Sequence, residues 1–297
     1  MNGKISAHEA RCPLKTPFDV RIDAEHRAIQ VTCTHVVRYL PGKRIVCQGY
    51  WDKQLVIMKL FVNKSKGDQH FLRERQGISA LQALSLYSPI VLFAEKKTKQ
   101  SQPALILQYI DGGLDFKHAW DKTEDERERK KLILDLVRTV AELHEAGLYH
   151  QDMHLGNLMV ADKHIYVIDG AAIIAKHKGS PLSQSKSIDN LSKLLAQFSS
   201  QIDHLLPYAL AAYAQKRGWG EVDTFSEQLA QRVSKERHKR ERAYLKKIYR
   251  ESTSFTCHRS LTAFWVCSRL DLSDEMIRLL RDPDRNMRTG RLLKDGN

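Results

Sequence analysis

The residues best suited to chemistry lie between positions 150 and 170. Residues 150–157 read His-Gln-Asp-Met-His-Leu-Gly-Asn, and residues 168–170 read Ile-Asp-Gly. A carboxylate such as Asp152 can accept a proton from a hydroxyl group. The side-chain oxygens of Asn157 and Asp169 are hard ligands of the kind that Mg²⁺ prefers. The segment therefore offers a proton acceptor and metal ligands at short spacing.

This pattern resembles the catalytic loop and metal-binding triplet of kinases, in which a His precedes the Asp by two residues and an Asn follows it by five. The resemblance implies that Asp152 accepts or orients the acceptor hydroxyl. It implies that Asn157 and Asp169 hold the Mg²⁺ ions (Mn²⁺ is the alternative) that bridge the phosphates of ATP. His150 is expected to pack and hydrogen-bond within the loop. His154 stands where protein kinases usually carry Lys.

A kinase also needs a Lys on its third strand that pairs with a Glu on the following helix. Lys59 lies in the apolar run 55–61, and Glu74 follows fifteen residues later in a segment with helical spacing. The sequence therefore predicts that Lys59 and Glu74 form the pair that positions the phosphates.

The nucleotide is expected to contact two further stretches. The turn at residues 41–44 reads Pro-Gly-Lys-Arg and lacks the full G-x-G-x-x-G pattern, so a plain solvated turn is the alternative to a phosphate loop. The stretch at 108–110 is the predicted hinge beside adenine. The candidate nucleotide-binding residues, besides Lys59, are Gly42, Lys43, Gln108, Tyr109 and Ile110.

The order of predicted elements gives an α+β, two-lobed fold. Three closely spaced apolar runs, one helix and two more strands predict a five-stranded antiparallel N-lobe with one helix at residues 1–110. Residues 111–297 are predicted to form a mainly helical C-lobe with one short hairpin, which would carry the catalytic loop, the metal site and basic C-terminal helices. The crevice is expected near residues 109–113.

Composition limits the class of protein further. No apolar run approaches the length of a transmembrane helix, and the first residues lack a signal-peptide core, so a cytoplasmic protein is expected. The five cysteines have no Cys-x-x-Cys pair, which indicates reduced thiols. The net charge of +13, with nine Lys or Arg between residues 232 and 250, favours a polyanionic partner.

Taken together, residues 41–44, 59–61, 74, 150–157, 168–170 and the basic stretch 240–253 resemble the bacterial lipopolysaccharide-core kinases (Kdo and heptose kinases and the related toluene-tolerance proteins). The resemblance spans about residues 30–260. It implies transfer of the γ-phosphoryl group of ATP to a sugar hydroxyl of the lipopolysaccharide inner core, which is an anionic glycolipid. The protein would then act peripherally at the cytoplasmic face of the inner membrane.

Other functions stay open at this stage. A protein Ser/Thr kinase is disfavoured because the chain after Asp169 is short and lacks an Ala-Pro-Glu triplet. A kinase of another small molecule, of the aminoglycoside type, shares the H-x-D-x-H-x-x-N pattern. A non-catalytic pseudokinase would normally lose the Lys or one of the two Asp residues. No motif supports a nucleic-acid binder, and no nucleic acid is expected.

Overall fold

The computed structural model describes residues 13–23, 28–96, 102–175, 179–220, 223–252 and 254–282. The chain divides into two compact units, Met1–Ser234 and Lys235–Asn297. The predicted boundary between two lobes at residue 110 lies inside the first unit and stays a prediction.

The first part of unit 1 is an antiparallel sheet with six strands in the described residues. Its order is β1-β2-β3-β4-β6-β5, so the strands of the meander are spatial neighbours. The strands are β1 (Phe18–Asp23), β2 (Ala28–Leu40), β3 (Arg44–Trp51), β4 (Gln54–Leu60), β5 (Val91–Glu95) and β6 (Ala104–Gln108). Five strands were predicted; the extra one is β1, which pairs with the first half of β2.

Helix α1 (Gly67–Ala83) packs on one face of this sheet. Phe71 and Ile78 of the helix form a buried cluster with Phe61, Leu105 and Leu107. The other face is covered by a separate cluster that includes Val31, Val56, Met58 and Ile106. Because both faces of β4 and β6 are buried, the sheet holds Lys59 on a rigid strand.

The remainder of unit 1 is mainly helical. Its helices are α2 (Phe116–Lys122), α3 (Glu126–Glu145), α4 (Gln184–Leu195) and α5 (Leu206–Lys216), and α6 (Asp223–Ile248) runs on into unit 2. Helix α3 begins at an N-cap, since the Asp125 carboxylate accepts from the Glu128 amide at 2.9 Å. Its last helical residue is Glu145, and Gly147, with φ of 77°, follows the C-cap and turns the chain away. The core of this region joins α3, α4 and α5.

Short strands between these helices carry the motif residues. The strands are β7 (Leu114–Asp115), β8 (Tyr149–His150), β9 (Leu158–Ala161), β10 (His164–Val167) and β11 (Ile173–Ile174). The predicted hairpin is β9–β10, and its turn places Asp162 and Lys163 at φ of 48° and 66°. Strand β8 pairs with β11, so the start of the catalytic loop is tied to the chain that follows Asp169.

Unit 2 contains the end of α6, a hairpin of β12 (Phe255–Arg259) and β13 (Phe264–Ser268), and α7 (Asp274–Arg281). The hairpin was not predicted. None of the helices in the described ranges is long and apolar enough to cross a bilayer. The described cysteines are free, as expected, and three of them are buried: Cys33, Cys47 and Cys267.

Candidate active site

The side chains of Lys59 and Glu74 meet at the centre of unit 1. Lys59 Nζ donates to Glu74 Oε1 at 2.5 Å and to the carbonyl of Ile168 at 3.2 Å. The Glu74 carboxylate is fully buried, and its Oε1 also accepts from the Gly170 amide at 3.3 Å. Arg44 Nη1 lies 3.5 Å from the other oxygen, Oε2. A buried carboxylate with three donors is satisfied, so the Lys59 ammonium is fixed in place.

Two glycines let α1 approach the segment that follows Asp169. A Cβ atom on Gly77 would lie 1.9 Å from the carbonyl oxygen of Gly170. A Cβ atom on Gly170 would lie 2.4 Å from the carbonyl oxygen of Glu74. Side chains at these positions would push the helix away from the segment. The contact therefore sets the distance between Glu74 and Asp169.

The catalytic loop is exposed at residues 151 and 152 and buried at the residues that flank them. The Asp152 side chain is 72% exposed, so an acceptor can reach its carboxylate. Its backbone carbonyl accepts from Asn157 Nδ2 at 2.9 Å. His154 Nε2 lies 3.6 Å from Asp152 Oδ2, while His154 Nδ1 accepts from the Gly156 amide at 3.1 Å. The Gly156 contact leaves the His154 proton on Nε2, where it faces the Asp152 carboxylate.

The two expected metal ligands line one cavity, and each has a side-chain oxygen outside the hydrogen bonds that hold the residue. Asn157 Nδ2 donates to the Asp152 carbonyl, so Asn157 Oδ1 is not part of that hydrogen bond. Asp169 Oδ1 accepts from the Ala171 amide at 3.1 Å, which leaves Oδ2 available. Both residues line the same cavity, together with Lys59. One amide oxygen and one carboxylate oxygen beside a phosphate site fit Mg²⁺, which keeps several water or phosphate ligands.

That cavity has a volume of about 250 Å³ and lies between the sheet and the catalytic loop. Its apolar walls suit a planar base, and its polar end is where the Lys59, Asn157 and Asp169 side chains converge. The predicted hinge residues lie on its lining. The apolar wall and hinge consist of Val46, Ile57, Leu107, Gln108, Tyr109, Ile110, Met159 and Ile168.

Of the turn predicted to contact the phosphates, residues 41–44, only Arg44 lines the cavity. Gly42 and Lys43 are exposed and do not line the cavity in the described residues, whereas Arg44 does. Gly42 has φ of 63° and forms the tight turn in which the Lys43 amide donates to Leu40. Arg38 also lines the cavity and was not predicted. The arginines that line the cavity, in addition to Lys59, are therefore Arg38 and Arg44.

Two polar side chains, one buried and one half-buried, hydrogen-bond to the backbone of the catalytic loop. Asn190 Nδ2 donates to the His150 carbonyl at 2.8 Å. The Gln197 amide spans the loop, since Nε2 donates to the Met153 carbonyl and Oε1 accepts from the Leu155 amide. Asn190 and Gln197 are seven residues apart, which puts them on one side of α4 and its continuation. Neither was predicted, although that spacing was visible in the sequence.

Asn190 is itself held by a chain of buried groups. Its Oδ1 accepts from His144 Nε2 at 3.0 Å, and His144 Nδ1 accepts from the Tyr213 hydroxyl at 2.6 Å. Arg217 Nη1 donates to the same hydroxyl at 2.9 Å. Burial lowers the pKa of His144 to about 4, so the imidazole is neutral at pH 7. A neutral imidazole donates at one nitrogen and accepts at the other, as this chain requires.

His150 departs from the expectation that its side chain hydrogen-bonds the loop. Its ring is buried, and neither ring nitrogen has a hydrogen-bond partner among the described residues. Burial lowers its pKa to about 4, although the nearby Asp152 charge raises it. The hydrogen bond at this residue comes instead from Asn190 to the backbone carbonyl. The His150 ring therefore packs as a neutral group.

Residues 42–189 match the family described as protein kinase domain. The matched segment contains Lys59, Glu74, Asp152, Asn157 and Asp169. The fold is protein-kinase-like. The predicted fold class is thus confirmed, and the match supports membership of the protein-kinase-like superfamily and phosphotransferase chemistry in general. No curated protein matches the chain.

The segment after Asp169 in this kinase-like domain is short, because α4 begins at Gln184. Beside it, α1 and residues 171–175 line a groove with cationic side chains. Successive side chains of a helix are rotated by about 100°. Glu74 is therefore buried, whereas its neighbours Arg73 and Arg75 are exposed and line the groove. The groove also contains Lys96 and Gln151, the residue before Asp152. Its described lining residues include no acidic side chain.

Proposed function

We propose that this protein transfers the γ-phosphoryl group of ATP to a sugar hydroxyl of the lipopolysaccharide inner core, at the cytoplasmic face of the inner membrane. The observation that carries the phosphotransferase part is that Lys59, Asn157 and Asp169 line one cavity, while the exposed Asp152 is tied to Asn157 through its backbone carbonyl. The family resemblance and the charge of the surrounding surface support the acceptor class.

Each side chain has a definite role in this proposal. Lys59, held by Glu74, binds the phosphates of ATP, and the hinge residues receive the adenine. Asp152 accepts the proton of the acceptor hydroxyl, and His154 Nε2 lies 3.6 Å from its carboxylate. Asn157 and Asp169 would hold Mg²⁺, which neutralises charge on the phosphates when it is bound. Phosphoryl transfer depends mainly on such positioning and charge stabilisation.

Two features favour an anionic, non-peptide acceptor. The short segment between Asp169 and α4 leaves little chain to hold a peptide. The groove beside it carries Arg73, Arg75 and Lys96, and none of them has an ion-pair partner among the described residues. Unpaired cations beside the proton acceptor attract a substrate that already bears phosphate or carboxylate groups.

The proposal is tested by mass spectrometry of the lipopolysaccharide core. A strain that lacks the protein is compared with the same strain given wild type or Asp152→Ala. We expect one phosphoryl group to disappear from the core and to return only with wild type. Asp152→Ala should still bind ATP with Mg²⁺, because Asp152 faces the acceptor rather than the nucleotide. Asp169→Ala is the contrasting variant and should lose metal-dependent binding.

The outcomes separate the competing functions. An identical core in all strains would reject the lipopolysaccharide acceptor and leave another small-molecule or protein hydroxyl as the substrate. Absence of metal-dependent ATP binding in wild type would favour a non-catalytic binding module. Full transfer by Asp152→Ala would remove Asp152 from the proton-accepting role.

A further inference from the structure

The tip of the β12–β13 hairpin exposes an apolar side chain completely. Residues 260–263 form a closed turn, in which the Ser260 amide donates to the Ala263 carbonyl at 2.8 Å and the Ala263 amide donates to Ser260 Oγ at 3.0 Å. Leu261 stands at this tip with a relative exposure of 106%. A single exposed Leu needs no explanation, so its surroundings decide its meaning.

Aromatic side chains lie just behind the tip. Phe264, the first residue of β13, is 47% exposed, and its ring centroid is 5.9 Å from that of Tyr249. Tyr249 is itself 53% exposed. Trp265 is half-buried and stacks on His258. Phe264 can enter the outer acyl region, while the Tyr hydroxyl and Trp N–H remain with the headgroups, as in the aromatic belts of membrane proteins.

Cations complete the pattern. The Arg259 guanidinium lies 5.4 Å from the Phe264 ring centroid. Lys246, Lys247 and Arg250 are close in sequence to Tyr249. The nearby acidic residue, Glu251, is paired with Arg269, so its charge is neutralised locally. The hairpin end therefore combines an apolar tip, an aromatic layer and a net positive charge.

We propose that this hairpin tip inserts into the headgroup region of an anionic lipid bilayer, with Leu261 and Phe264 as the apolar anchors and Arg259 contacting lipid phosphates. The choice of a bilayer rests on charge complementarity with anionic lipid and on the proposed function, whose acceptor is itself membrane-bound. The insertion is a property of unit 2 and requires neither ATP nor the acceptor.

The test is sedimentation of the full-length protein with vesicles of phosphatidylcholine, with and without phosphatidylglycerol. Wild type should sediment with the anionic vesicles, and less so as salt rises. Leu261→Asp should bind about tenfold to a hundredfold more weakly, because the side chain that enters the lipid is replaced by a charge. The matched control is Leu270→Asp. Leu270 is 79% exposed in the same unit, but it lies at the opposite end of the hairpin.

A second measurement reports insertion directly. Brominated lipid should quench the fluorescence of the wild-type protein, and Trp265→Phe should remove most of that quenching. Arg259→Glu should weaken binding about fivefold, and only to vesicles that contain phosphatidylglycerol.

Each outcome bears on the proposal. Equal sedimentation of Leu261→Asp and Leu270→Asp would overturn it, as would a wild-type protein that binds neither kind of vesicle. Quenching that is unchanged in Trp265→Phe would show that the tip does not insert. Vesicle binding that depends on Leu261 in a protein without inner-core kinase activity would uphold this inference while rejecting the proposed function.

Discussion

The buried charge pair offers a quantitative test of how the site is built. In Lys59→Met, the Glu74 carboxylate remains fully buried and loses its closest donor, at 2.5 Å. Removing one partner of a buried pair typically costs about 3–5 kcal/mol. Glu74 keeps the Gly170 amide at 3.3 Å and Arg44 at 3.5 Å, so we expect the low end, about 3 kcal/mol.

The double variant Lys59→Met/Glu74→Gln should recover most of that loss. Gln is isosteric with Glu, carries no charge and still offers an oxygen to the Gly170 amide. We therefore expect the double variant to lie within about 1 kcal/mol of wild type, which is the scale of one neutral hydrogen bond. The second substitution would then restore about 2 kcal/mol of the roughly 3 kcal/mol that Lys59→Met removes. Neither variant should bind ATP as wild type does, because both lack the Lys59 ammonium.

Urea unfolding followed by circular dichroism measures the free energies, and titration calorimetry measures ATP binding. Lys64→Met is the matched control, since Lys64 is exposed in the turn after β4 and should change stability by less than about 0.5 kcal/mol. If the double variant is no more stable than Lys59→Met, an unpaired buried carboxylate is not the cause of the loss, and this explanation fails.

Two other predictions concern groups around the site. The neutral, buried imidazoles of His144 and His150 have folded-state pKa values of about 4. The unfolded chain therefore binds more protons below the usual His pKa, and the free energy of unfolding should fall as pH drops from about 6.5 to 4, by up to about 1.4 kcal/mol per pH unit for each imidazole. Urea midpoints across that range should show a shallower slope for His144→Gln, and an equal slope would contradict the assignment. Gly77→Ala should cost about 1–3 kcal/mol in thermal unfolding and also weaken ATP binding, because the new Cβ atom collides with the Gly170 carbonyl. Ser79→Ala, on the exposed side of the same helix, is its control; an unaltered Gly77→Ala protein would show that the close approach is not required.

The elements with strong turn or periodic signals could be predicted from the sequence. Asp52 and Lys53 adopt φ of 47° and 67°, and the same pair of residue types makes the β9–β10 turn. Strand β1 was missed because it is stabilised by pairing with the first half of β2. That pairing is a tertiary contact and leaves no signal in the sequence of β1 itself. The β12–β13 hairpin has a turn of Ser-Leu-Thr-Ala without Gly, Pro or Asn, so the usual punctuation was absent.

The candidate site shows the same division between local and tertiary information. The spacing around Asp152 and Asp169 reflects a loop and hairpin of fixed length, so these residues could be predicted from the sequence. The position of Arg38 could not be predicted, because β2 changes register between Val36 and Arg38. This bulge breaks the alternation of inward and outward side chains along the strand. Asn190 was missed since a polar residue on an amphipathic helix is ordinarily taken to face solvent, and only the packed loop gives it a buried partner.

The close contact between α1 and the segment after Asp169 has a consequence for regulation. Gly77 and Gly170 meet backbone to backbone, and the Gly170 amide also donates to Glu74. Helix α1 cannot shift without breaking the Lys59–Glu74 pair and displacing Asp169 at the same time. The positions of Glu74 and Asp169 are therefore coupled through this contact. Since only the short stretch up to α4 follows them, we infer that the site is assembled without an ordering event such as phosphorylation of this stretch. Protein made in cells without kinases should accordingly bind ATP with Mg²⁺ as purified, and binding that appears only after phosphorylation would refute this reasoning.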